Sequence, residues 1–250
     1  MSFIEFIPIL VAIALLPIML GLMALGERIA RRTRTALAAP IDSAVLALLG
    51  LLLGFQFAGA ANRLETRRQI VVKEANAIGT AYLRIDLLPA DEQPQMRELF
   101  RTYTSLRIKM VESGRLEHAR ALDAESRKIQ SQIWTKSIVA SRKDPSPATQ
   151  TLVLASLNDM FDVTTERFVA AHTHTPLVIV ALLFGVTMAS AFLVGYTTSG
   201  AQHSWTLRGL FVMVIVGTMY VTLDMEFPRV GLIRVGAADD AMIDTRHGMD

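Results

Sequence analysis

The sequence predicts an all-α membrane protein: four transmembrane helices, with a helical soluble domain inserted between the second and third. Three observations carry this expectation. Residues 4–25, 41–61, 176–196 and 206–223 are each apolar and long enough to cross a hydrocarbon core about 30 Å thick. The charged residues concentrate between the second and third of these runs. No proline interrupts the stretch from Pro40 to Pro89. Its single helix of about 45 residues would be about 65 to 70 Å long, so its second half must lie in water.

Composition narrows the function classes. The chain is 52% hydrophobic and 19% charged, with the apolar residues clustered into spans rather than spread through a soluble core. A net charge of +2 with no concentrated basic stripe argues against a nucleic-acid partner. The absence of cysteine removes disulfides, thiolate chemistry and cysteine metal sites. The start, Met1 to Phe6, has no positive charge ahead of the first apolar run, so that run reads as a retained helix rather than a cleaved signal.

The first span contains Pro8 and Pro17, which membrane helices tolerate when neighbours satisfy the freed carbonyl. A basic connector from Gly26 to Arg34 follows, and Asp42 opens the second span either as its N-cap or as a residue of a pore mouth. In that span Gly50, Gly54 and Ala58 recur every four residues, a row of small side chains that lets another helix approach closely. Ala47, Leu51 and Phe55 form a second row on another face. That row is a packed stripe in a lone helix, or a narrow apolar lining in a ring of identical helices.

The charges from Arg63 to Glu74 mark where the helix leaves the bilayer. Pro89 ends it, and Asp91 is the expected cap of the next helix, residues 92–113, with Met96, Leu99, Tyr103, Leu106 and Met110 on one side. A more polar helix covers 115–142. Ser146 and Pro147 suit the N-cap and first position of a further helix that runs with hardly a gap into the third span. The expected organisation is therefore residues 1–61, the first two spans; 62–175, the helical domain continuous with the second and third spans; 176–223, the last two spans; and 224–250, a short acidic-leaning tail.

No catalytic motif is present: the sequence lacks a glycine-rich phosphate loop, a Gly-x-Ser-x-Gly elbow and a His-Glu-x-x-His pair. The expectation is a protein with no catalytic residues, cofactor or metal. His172 and His174 are two apart and point to different sides of a helix. Glu166, Arg167, Arg67 and Arg68 read as solvated or helix-pairing charges. Asp224 and Glu226, at the end of the fourth span, are either ordinary boundary carboxylates or cation-attracting groups at a pore exit.

The segment from Leu53 to Arg63 reads Leu-Gly-Phe, with an arginine eight residues after the phenylalanine and then Arg67 and Arg68. It resembles the second transmembrane helix of bestrophins. Across nearly all 250 residues, the chain looks more like the uncharacterised family labelled bestrophin-like, notably in Glu74 to Arg84 and Phe227 to Val235. The resemblance implies a homopentameric ion channel with a neck at Ala47, Leu51 and Phe55, packing at Gly50, Gly54 and Ala58, and a pore exit or charge ring at Arg63, Asp224 and Glu226. It departs from bestrophins at Leu64 and Glu65, which stand where aromatic residues follow the arginine, and at Ala47, which is smaller than the usual neck residue. Asp239, Asp240 and Asp244 follow the last span without a calcium clasp pattern. The ion's sign is left open.

Topology signals conflict. Four arginines after the first span argue for an outside N-terminus, whereas Arg63, Arg67, Arg68 and Lys73 after the second, and Arg229 and Arg234 after the fourth, argue for a cytoplasmic helical domain. With the resemblance, the second reading is adopted: an integral protein of the bacterial inner membrane whose partners are other copies of itself, small inorganic ions and lipid. The rival reading is a non-conducting membrane scaffold or sensor whose helical domain binds a partner.

Overall fold

A computed structural model describes residues 7–33, 39–112, 116–143, 146–199, 204–227 and 236–250. Every regular element among them is helical: α1 (Ile7–Thr33), α2 (Ala39–Leu83), a 3-10 turn (Arg84–Leu87), α3 (Gln93–Glu112), α4 (Leu116–Lys143), α5 (Pro147–His172), α6 (Leu177–Thr197), α7 (Trp205–Glu226) and α8 (Gly236–His247). Four helical segments are long and apolar enough to cross a membrane.

Several boundaries differ from expectation. Gly26 to Thr33 is the last part of α1 rather than a connector. Asp42 lies in the first turn of α2 rather than at its cap. The cap of α3 shifts to Glu92, whose carbonyl accepts from Met96 N, while Asp91 takes a hydrogen bond from Lys143 Nζ at 3.0 Å. The expected run from domain helix into third span is interrupted at Thr173–Pro176, between α5 and α6. Pro176 has no N–H to continue the ladder and disfavours helical backbone at the residue before it. The motif from Phe227 to Val235 falls mostly on residues 228–235, with Arg229 and Arg234, outside the described residues.

The chain divides into two compact units. The first contains α1, α2 as far as Leu64, α6 and α7. Leu15, Met19 and Met23 of α1, Leu49 and Leu53 of α2, and Leu183, Val212 and Met219 of α6 and α7 form one buried cluster. Helices α1 and α6 approach backbone to backbone. A Cβ on Gly26 would collide with the Phe192 carbonyl oxygen, and one on Gly195 with the Met23 backbone. Only glycine lets these backbones meet. Beyond them, buried Arg208 of α7 donates to Glu27 Oε2 of α1 at 2.5 Å and to Thr198 Oγ1 at 3.0 Å, joining three helices through one guanidinium.

The second unit contains α2 from Glu65, the 3-10 turn, α3, α4, α5 and α8. Ile78 and Tyr82 of α2, Phe100 and Tyr103 of α3, Ile133 of α4 and Met160 of α5 share its core. Within it Glu74 is fully buried and forked between two guanidiniums: Arg107 Nε donates to it at 2.5 Å, and Arg167 Nη1 binds its other oxygen. Of the two readings open for Arg167, solvated or helix-pairing, the second holds. Tyr103 is buried beside this cluster, and burial pushes its phenol up to about 12. The expected tail is a helix, α8, and ends in this core. The Met249 carbonyl accepts from Tyr82 Oη at 2.9 Å and from Arg101 Nη2 at 2.8 Å.

Gly195→Ala forces the α1 and α6 backbones apart, costing about 3 kcal/mol or more and about 10 °C in Tm. Gly185→Ala, where an added Cβ meets nothing within 4 Å, leaves Tm nearly unchanged in the same thermal unfolding assay. Glu74→Ala strands two buried arginines and lowers stability by about 3–5 kcal/mol. Removing the solvent-exposed Lys73–Glu166 pair costs less than about 1 kcal/mol.

Candidate pore helix and the polar cluster behind it

A helix turns about 100° per residue. In the membrane half of α2, Leu49, Leu53, Gln56, Ala60 and Leu64 are buried and fall on one stripe. Ala47, Leu51 and Phe55 lie on the opposite side, all exposed, with Leu51 at 55% and Phe55 at 67%. Gly50, Gly54 and Ala58 are exposed as well, and a Cβ added to Gly50 or Gly54 would meet nothing within 4 Å. Both rows therefore face away from the described residues of their own chain. Among the described glycines, the two whose added Cβ would strike another helix's backbone are Gly26 and Gly195, which the four-residue spacing in α2 did not reveal.

The buried stripe ends in a cluster of polar groups. Arg63 of α2 donates through Nε to Glu226 Oε1 of α7 at 2.8 Å, and its Nη2 also binds that oxygen. The same Nη2 donates to Thr175 Oγ1 at 2.6 Å. Thr175 in turn donates to Glu226 Oε1 at 2.9 Å, and His174 Nδ1 lies 3.5 Å from Glu226 Oε2. The His174 ring stacks on Phe227, with centroids 5.2 Å apart. Asp224, two residues before Glu226, is buried.

This arrangement brings together two of the three residues expected at a pore exit, Arg63 and Glu226, as an ion pair that cancels its own charge. Gln56, His174 and Thr175 join them, which the sequence did not indicate. The groups that Arg63 hydrogen-bonds, Thr175 and Glu226, are 112 and 163 residues away in the chain, and only the Thr-Pro break before α6 hinted at a special backbone there. Among the described residues, no group of three His, Cys, Asp or Glu is placed to hold a metal ion. Asp239, Asp240 and Asp244 lie along α8.

Four apolar helical segments and a separate helical unit define an integral membrane protein. The Bestrophin-like domain family matches residues 9–239, and the chain belongs to that family. Its fold is shared with a bacterial bestrophin homologue from Klebsiella pneumoniae solved by Zn-SAD phasing: TM-score 0.72, 14% identity, covering 96% of this chain and 97% of that one. A point variant of the same homologue matches with TM-score 0.73 and 15% identity over 95% and 97% of the two chains. A crystal structure described as a membrane protein variant matches with TM-score 0.74 and 13% identity over 96% and 97%. No curated protein matches the chain by sequence.

Arg63→Ala should lower stability by about 1.5–3 kcal/mol, because it removes charge-assisted hydrogen bonds from a carboxylate with little exposure to water. Arg63→Lys should restore only part of that, since an ammonium cannot reproduce the fork to Glu226 and Thr175. Thermal unfolding of the three proteins in one detergent checks the order wild type, lysine, alanine.

Proposed function

We propose that the protein is a homopentameric ion channel with a hydrophobic neck formed by Ala47, Leu51 and Phe55 of α2. The observation that carries the reading is the exposure of this row, on the side of α2 opposite the stripe buried in its own chain. In a ring of α2 helices the row would line a narrow apolar constriction, which gates by dewetting. Gly50, Gly54 and Ala58 would let neighbouring copies pack closely around it. Family membership supports the same reading. Phe55 is the widest side chain of the row and would set the narrowest point.

The channel would sit in a bacterial inner membrane and pass small inorganic ions. Arg67, Arg68 and Lys73, just beyond the membrane half of α2, favour a cytoplasmic position for the helical domain. Arg63 and Glu226 neutralise each other, so under this reading they hold α2 in place rather than form a ring of free charge.

Ion flux from liposomes holding the purified protein, with reversal potentials measured under asymmetric salt, tests the proposal. The expected result is measurable conductance that rises several-fold in Phe55→Ala. Assembled protein that passes no ions as wild type or as Phe55→Ala would overturn the channel in favour of a non-conducting scaffold. A monomeric mass in detergent would remove the pore itself, since one copy offers a single lining helix.

A further inference from the structure

A half-open cavity of about 200 Å³ lies on the buried side of the membrane half of α2, between that helix, α6, α7 and the turn at 174–175. Leu183, Phe184, Met219 and Leu223 supply apolar wall. Gln56, His174, Thr175 and Glu226 also line it, and they sit together because Thr175 reaches both Gln56 and Glu226. The cavity thus has an apolar body and one polar end.

The chemistry of that end is specific. The charge of Glu226 is met by Arg63, so the site offers no net charge to an ion. Gln56 as a residue is 9% exposed. Its one hydrogen-bond contact among the described residues is a long one, Thr175 Oγ1 to Oε1 at 3.5 Å, made by a hydroxyl that also donates to Glu226 at 2.9 Å. An amide paired this weakly in apolar surroundings is stabilised when a better partner arrives. An apolar cavity of about 150 Å³ is enough to take up a benzene ring, so this one has room for more than an ordered water.

We propose that this cavity is a binding site for a small uncharged amphiphile: an apolar body of about six to eight heavy atoms bearing one hydroxyl or amide that pairs with Gln56. A charged head would lose hydration without a counter-charge. A plain hydrocarbon, or a lipid acyl chain, would fill the body and leave the carboxamide unpaired. Gln56 follows Phe55 in α2, so the occupant bears on the rear of the candidate neck helix. Occupancy itself does not depend on the channel reading.

Photolabelling of the full-length protein in defined lipid vesicles tests the site, using 3-azioctanol as probe and mass spectrometry to map the adducts. Labelling should concentrate on Leu183, Phe184, Met219 and Leu223. Unlabelled 1-octanol should compete about tenfold better than octane, and Gln56→Leu should erase that preference. Leu183→Trp, which fills the body, should remove the labelling. Adducts spread evenly over outward residues such as Leu182 and Leu210, or labelling unchanged in Leu183→Trp, would overturn the site. Equal competition by octane and octanol in the wild type would overturn the polar-head assignment and mark an acyl-chain crevice instead. If Leu183→Trp does not fold, the adduct map, the competition ratio and its response to Gln56→Leu still decide the matter.

Discussion

A carboxylate at the end of an apolar helix has to be satisfied where water is scarce, and at Glu226 this requirement organises the membrane unit. Its donors come from α2 and from the turn before α6. Arg63, Gln56 and Leu49 are spaced by seven, two turns apart, so they share one face of α2. Pairing Arg63 with Glu226 therefore also fixes which side of the helix turns inward. Leu49 and Gln56 are buried by that rotation, and Ala47, Leu51 and Phe55 are left outward. The candidate neck row and the cavity behind it are two consequences of one helix phase.

Small residues serve two different purposes in this chain. Gly26 and Gly195 are consumed by the close approach of α1 and α6, and the collision of an added Cβ with backbone makes the need plain. A Cβ added to Gly50 or Gly54 would meet nothing within 4 Å among the described residues, although their spacing in the sequence is the more regular. Lipid tails are as apolar as leucine, so close backbone packing is one of the few forces available to hold membrane helices together. The regular row is thus available to a second copy, as the proposed ring requires.

The helical unit is stabilised differently. Its core is built from aromatic and aliphatic side chains of α2 to α5, yet it encloses the Glu74 carboxylate between Arg107 and Arg167. Such a triad adds little net stability over a well-packed apolar core, but it penalises any arrangement that separates α2, α3 and α5. Met242 of α8 and Met249, just beyond that helix, close the same core. A short polar tail in the sequence thus becomes part of the domain.

The sequence by itself determined the all-helical membrane class, the four spans, the long second helix and the alignment of Ala47, Leu51 and Phe55 along one of its faces. Each of these is local: hydropathy over about 20 residues, the 3.6-residue period and proline punctuation are written in consecutive letters. Ends of elements were less legible, as the shifts at Asp42, Asp91 and Pro176 show, because caps depend on neighbours as well as on residue type. Only the tertiary structure decided that Arg63 neutralises Glu226, that Glu74 joins two arginines, that Gly26 and Gly195 carry the tightest packing, and that Gln56 borders a cavity. These pairings link residues far apart in the chain. Charge and size in a sequence give the need for a partner, and packing of the helices selects which one meets it.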